Sequence, residues 1–170
     1  MKKIIALVLM LMLALSAFAV AENVPGLTHF QTIDTDGNAV TDEIFAPYDL
    51  TMVNVWATWC GYCIEEMPEF TELKERLPEN ANIITICTDA HSEPQLTQEI
   101  LAYANANFQT LILTQEMVDQ LVGQVYAFPT TFFLDSEGKV VGEPIVGVPS
   151  MENAGDAYYD YMMYLMNGAA

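Results

Sequence analysis

Val53-Asn54-Val55-Trp56-Ala57-Thr58-Trp59-Cys60-Gly61-Tyr62-Cys63-Ile64-Glu65-Glu66-Met67-Pro68 is the stretch that decides how this chain folds. It begins inside a short apolar run, Met52 to Trp56, of the kind that forms a buried strand. It ends inside a helical pattern. Met67, Phe70, Leu73 and Leu77 recur at helical spacing, Glu65, Glu69, Glu72 and Arg76 take the opposite face, and Pro78 marks the stop. Cys60 and Cys63 therefore stand where a strand hands over to a helix. At a helix's first turn the backbone N–H groups lack partners and the dipole is positive, and both favour the thiolate of Cys60 over its thiol. Cys60 is read as the attacking nucleophile. Cys63, one turn further in, is close enough to close a disulfide with it and release a bound partner.

Two blander readings of the pair compete with redox chemistry. A structural disulfide of such short span closes a tiny loop and constrains the unfolded chain little. A zinc half-site needs two further ligands, and Cys87, His29 and His91 stand in no recognisable spacing. The strand before and the helix after favour the redox pair.

Outward from this segment the elements alternate. Leu27 to Asp34 suits an edge strand followed by the turn Thr35-Asp36-Gly37-Asn38. Beyond the central helix, Ile83–Thr88 reads as a strand, Glu93–Asn107 as a helix, Thr110–Leu113 as a strand and Gln115–Gln124 as a helix. This succession implies parallel β-α-β units. After Pro129, Thr131–Leu134 is strand-like, an Asp135-Ser136-Glu137-Gly138 turn follows, and Lys139–Val146 can return as an antiparallel partner. A helix from Met151 to Met166 closes the chain, with Tyr158, Tyr161, Met162 and Leu165 on one face, read as packing against the sheet.

Glu66 is the most informative acid. It lies three residues after Cys63, on the stripe of Phe70 and Leu73, so it points inward, where its pKa is raised. Such a carboxylate can take the proton from Cys63 when that thiol attacks a mixed disulfide. The alternative is an ordinary solvent-facing helix glutamate. Cys87, at the end of an apolar strand, is read as a buried core residue rather than a redox partner.

The segment Val53–Pro68 resembles the active-site segment of the thioredoxin superfamily, specifically its TlpA/ResA-like extracytoplasmic branch. Phe128-Pro129-Thr130-Thr131-Phe132-Phe133-Leu134-Asp135 independently resembles the family segment whose proline is cis. The resemblance implies a thioredoxin fold: a central mixed sheet flanked by helices, here with an N-terminal β extension. It implies a protein disulfide reductase or isomerase that needs no cofactor or metal. Cys60, Cys63 and Glu66 would be the catalytic residues, while Trp59, Phe128 and a cis Pro129 would border the reactive sulfur and receive an extended client. Pro68 matches the proline that bends the family's active-site helix. The chain also departs from cytoplasmic thioredoxins, which carry a buried aspartate where Asn54 stands. Asparagine cannot take a proton, so the acid-base task passes to Glu66 or water.

Composition bounds the setting. Lys2 and Lys3, the apolar run Ile4–Leu15 and the ending Ala19-Val20-Ala21 have the layout of a secretory signal peptide, residues 1–21, with cleavage after Ala21 or, if uncleaved, a membrane tether. Of 170 residues that leaves 149, residues 22–170, the size of one thioredoxin-like domain. Lys74, Arg76 and Lys139 then face 23 acids, a formal charge of −20, which argues against nucleic acid as a partner. The expected protein is a monomer outside the cytoplasm. Its partners are protein clients with disulfides or thiols, and a membrane-embedded thiol protein serves as electron donor. Two rivals share the fold. A thiol peroxidase wants a threonine where Ala57 stands and an arginine besides Arg76. A copper-binding chaperone wants cysteines more widely spaced and a distant histidine, and only His91 follows the pair.

Overall fold

The Leu50–Trp56 strand (β3) is buried along its whole length, and its alternation divides the molecule. Met52 and Trp56 enter the core on one face of the sheet, Val53 and Val55 the core on the other. A strand buried on both faces must lie in the middle of a sheet. In the computed structural model, which describes residues 25–168, it does. The expected signal segment lies outside the described residues.

The strands around β3 are Gln31–Ile33 (β1), Ala39–Thr41 (β2), Ala81–Cys87 (β4), Gln109–Ile112 (β5), Thr130–Leu134 (β6) and Ile145–Val146 (β7). The helices are Gly61–Arg76 (α1), Pro94–Tyr103 (α2), Gln115–Gln120 (α3) and Ala154–Met166 (α4). The main sheet runs β5-β4-β3-β6-β7. β3 pairs with β4 and β4 with β5 in parallel, whereas β6 is antiparallel to both β3 and β7. In that register Trp56 stands beside Cys87 and Asn54 beside Thr131.

One core lies under α1 and α4 and holds Met52, Trp56, Met67, Phe70, Phe133, Tyr158 and Met162. The opposite core gathers Phe30, Phe45, Val53, Val55, Ile84, Ile86 and Phe132. α4 is fastened along α1 at three levels: the Tyr158 ring meets Phe70 edge-on at 5.5 Å, Glu69 accepts from the Gly155 N–H at 2.6 Å, and Arg76 pairs with Asp156 at 2.6 Å.

Several elements are shorter than the periodicity suggests, each for a local reason. The N-terminal extension is a hairpin of its own, β1 against β2, whose turn is organised by Asp34 and uses a positive φ of 86° at Gly37. Lys139–Val146 is not a continuous return strand. A single bridge joins Val140 to Leu134, Gly142 with φ of 70° turns the chain aside, and pairing resumes only at β7. The helix expected over Gln115–Gln124 breaks at Leu121 (φ −145°) and finishes as a 3-10 turn. α2 spans Pro94–Tyr103 rather than Glu93–Asn107, because the chain reverses at Asn105, whose φ is 49°. α4 starts at Ala154 rather than Met151, where the Asn153 side chain caps it by accepting the Asp156 N–H.

Candidate active site

β3 delivers its C-terminal end to the N-terminus of α1, and Cys60 is the N-cap of that helix. Its Sγ accepts the Cys63 N–H at 3.3 Å, so one of the helix's orphan donors already points at this sulfur. The two sulfurs are joined at 2.10 Å, with the Cα atoms 5.3 Å apart. Cys60 is 6% exposed and Cys63 fully buried, so what solvent contact the pair has belongs to Cys60. α1 continues through Pro68 to Arg76.

The turn preceding Cys60 is held from β4. Asp89, two residues past that strand, accepts the Thr58 N–H at 2.9 Å and the Thr58 hydroxyl at 2.6 Å. Cys87 donates its thiol to the same carboxylate at 3.3 Å. Cys87 is fully buried, and burial pushes its thiol up to about 12, which keeps it protonated and inert. That fits its reading as a core residue.

The Phe128–Pro129 peptide is cis. Trp59, 72% exposed, meets the Phe128 ring edge-on at 5.5 Å, which sets the cis segment against the Cys60 turn. The carbonyls on either side of Phe128 are engaged: Ala127 accepts from the Thr130 hydroxyl and Pro129 from the Gly147 N–H, both at 2.8 Å. Among the described residues, the backbone N–H and C=O of Phe128 itself make no hydrogen bond. A free donor and acceptor beside the sulfur are what an extended peptide requires.

Glu66 is 2% exposed and faces the core, as its place on the stripe requires. Burial pushes its pKa up from 4.5 to about 8, against the opposing pull of hydrogen bonds from Asn54 and Tyr158, with Glu69 adding to the rise. Asn54 Nδ2 donates to Glu66 Oε1 at 3.0 Å and to Thr131 Oγ1 at 2.9 Å. Thr131 donates to the Tyr158 hydroxyl, and Tyr158 to Glu66 Oε2, both at 3.1 Å. Glu66 also lines a small cleft of about 40 Å³ with Tyr62, Glu65, Glu69, Val148 and Met151. A larger groove of about 340 Å³, between the hairpin and α2, shares no residue with this region.

The structure thus brings together Cys60, Cys63, Trp59, Phe128 and Pro129 at the head of α1, with Glu66 one helical turn beneath. Asp89, Thr131 and the hydroxyl of Tyr158 were not singled out by sequence. The signal that exists for Tyr158 is chemical: a wholly buried tyrosine needs a partner for its O–H. His29 and His91 are exposed, and among the described residues no group of three or more His, Cys, Asp or Glu side chains converges as a metal site.

A mixed sheet flanked by helices, a Cys-x-x-Cys disulfide at a helix N-terminus and a cis proline beside it define a thioredoxin-fold protein. The model of the AhpC/TSA family matches residues 21–142, and the chain belongs to that family. It is 31% identical over 100 residues to the thiol-disulfide oxidoreductase ResA of Bacillus thuringiensis, an alignment covering 59% of this chain and 56% of that one. The chain thus spans about half the length of this curated relative. An uncharacterized protein of Haemophilus influenzae is 28% identical over 142 residues, covering 81% of this chain and 86% of that one. Among solved structures, a thioredoxin family thiol:disulfide interchange protein of Chlorobium tepidum superimposes with a TM-score of 0.69 at 18% identity, covering 84% of this chain and 97% of that one. At that identity the likeness shows the fold alone.

Proposed function

We propose that this protein is an extracytoplasmic thiol-disulfide oxidoreductase, acting as a reductase of protein clients through Cys60 and Cys63. The observation that carries this reading is the disulfide capping α1, with Cys60 slightly exposed, Cys63 sealed, and a buried carboxyl one turn below.

In the reduced protein the Cys60 thiolate attacks a client disulfide. One client sulfur leaves as a thiolate, and a mixed disulfide joins Cys60 to the other. The client strand lies along the free backbone of Phe128, between Trp59 and Pro129. Glu66 then takes the proton of Cys63, and the Cys63 thiolate attacks Cys60. The Cys60–Cys63 bond forms and the second client sulfur departs. The client gains two electrons, and the protein must recover them from a thiol donor, which we assign to a membrane-embedded protein. Residues 1–21 act as its export signal, residues 22–170 as its single domain, and the domain works as a monomer.

The acidity around the pair supports the reducing direction, because it opposes the thiolate that a strong oxidant must stabilise. A peroxidase reading is disfavoured by Ala57, fully buried at the place where a polar residue would have to act, and by Arg76, already paired with Asp156.

Cys63→Ser removes the resolving thiol, so this variant expressed in cells should accumulate client adducts on Cys60. Their absence, with Cys60 free and intact, would overturn the proposal. Cys60→Ser should trap none.

A further inference from the structure

Glu66 and the three side chains around it form a closed circuit. Asn54 spends one N–H on Glu66 and the other on Thr131, Thr131 spends its hydroxyl proton on Tyr158, and Tyr158 spends its own on Glu66. Every donor is used, and the circuit delivers one hydrogen bond to each oxygen of an ionised carboxylate. A rigid ring of this kind suits only one protonation state unless it can reverse. The means of reversal is present. Asn54 Oδ1 is buried and has no hydrogen-bond partner.

Turning the Asn54 amide over would place Oδ1 where it can accept from a protonated Glu66 and from the Thr131 hydroxyl. Tyr158 keeps its bond to the other Glu66 oxygen. The Asn54 carbonyl is the unpaired group before the turn and its amide N–H groups after it, and Thr131 exchanges its bond to Tyr158 for one to Asn54, so the proton is gained by exchanging partners within the ring. The ring draws on three elements, β3, β6 and α4, all packed against α1. The ionisable groups facing Glu66 are Tyr158 from α4 and, on α1 itself, Glu69, with Tyr62 and Glu65 around the cleft it lines, while Cys63 is held in the disulfide. β3 and β6 present only the neutral Asn54 and Thr131.

We propose that Tyr158 and Thr131, acting through the Asn54 amide, are positioning residues that hold Glu66 beneath Cys63 and reverse their hydrogen bonds as it gains or loses its proton. This rests on Glu66 being the base of the release step.

The test is direct titration of Glu66 in the oxidised full chain, by NMR of labelled glutamate carboxyl carbons, with Glu66→Gln identifying its signal. Tyr158→Phe keeps the ring against Phe70 and deletes one donor to the carboxylate. Its Glu66 midpoint should rise by about one pH unit, the size expected for one hydrogen bond to a charged group. Thr131→Val should raise it in the same direction, and Thr131→Ser, which keeps the hydroxyl, should restore the parent value. In the parent, the Asn54 side-chain amide signals should change with the Glu66 midpoint. An unmoved midpoint in Tyr158→Phe, or Asn54 signals that ignore Glu66, would overturn the proposal. If Tyr158→Phe fails to fold, the Thr131 pair decides alone, equal midpoints for Val and Ser refuting it. In exchange assays the pH limb of client release should move in step with the NMR midpoint. A Glu66→Gln variant that releases client as fast as the parent at every pH would instead remove the base role while leaving the titration result standing.

Discussion

Burial of Glu66 has a thermodynamic signature that can be measured without any client. Its carboxyl is pushed up to about 8 in the folded chain, from 4.5 when exposed. The folded state therefore binds the proton more tightly than the unfolded state between those values, and the ionised form is the one that burial penalises. This group's favourable contribution is complete below about pH 4.5 and is lost as pH rises through about 8. Glu66→Gln removes that dependence. Its melting temperature should exceed the parent's by several degrees at pH 8.5, and the gap should close toward pH 5; a constant gap would contradict the burial argument. Cys87 offers a second residue-level check. Its thiol should resist iodoacetamide at pH 8 in the folded protein and react fully in denaturant, as mass spectrometry would record. The inward aim of Glu66 was legible because three residues make nearly one helical turn. Its contact with Tyr158 was not, since 92 positions separate the two and no local period connects them.

Elements differ in how well sequence foretells them, and the difference follows burial. β3, β4 and β6 are buried throughout, so their apolar runs announce them. β7 and the stretch before it are partly exposed and interrupted by Gly142, so a hydrophobic run there overstated the strand. The β1-β2 hairpin is held by side-chain chemistry that periodicity cannot see. Asp34 accepts the Asn38 N–H at 2.8 Å, the Asp36 N–H at 3.0 Å and the Gln109 side chain at 2.7 Å, which ties the hairpin to β5 at the edge of the main sheet. Covering that edge keeps β5 from pairing with another chain. Asp34→Ala should cost about 2–3 kcal/mol in urea unfolding and speed hydrogen exchange in residues 31–41. Client trapping should be unchanged, because the hairpin touches none of the groups around Cys60. Asp89→Ala should differ in reaching the site. It frees the Thr58 N–H and hydroxyl, so it should cost a comparable amount and also slow attack by Cys60, read as a lower rate of mixed-disulfide formation.

For the molecule as a whole, charge is the dominant long-range term. The full sequence carries 23 acids against five basic residues, and the three basic residues beyond the expected signal are all engaged. Lys74 bonds Asn82 at 2.5 Å, Arg76 pairs with Asp156 and lies over the Tyr159 ring, and Lys139 pairs with Glu137. So large an excess repels itself in the folded state, and added salt screens it. Raising NaCl from about 10 mM to about 150 mM, where the Debye length falls to about 8 Å, should increase the melting temperature. A flat or falling response would show that local pairs outweigh the net field. The strand order of the sheet was not encoded in any local pattern; the two separated motifs that match one family implied only a central mixed sheet. The dependence of the site on α4 was invisible at every local scale, yet it has a consequence for biogenesis. The Cys-x-x-Cys segment emerges from the ribosome well before residues 154–166, whose tyrosine and backbone N–H anchor the acidic residues of α1. A truncated chain ending short of that last helix would keep both cysteines and the Asn54 contact to Glu66 but lose the two donors that α4 supplies to Glu66 and Glu69.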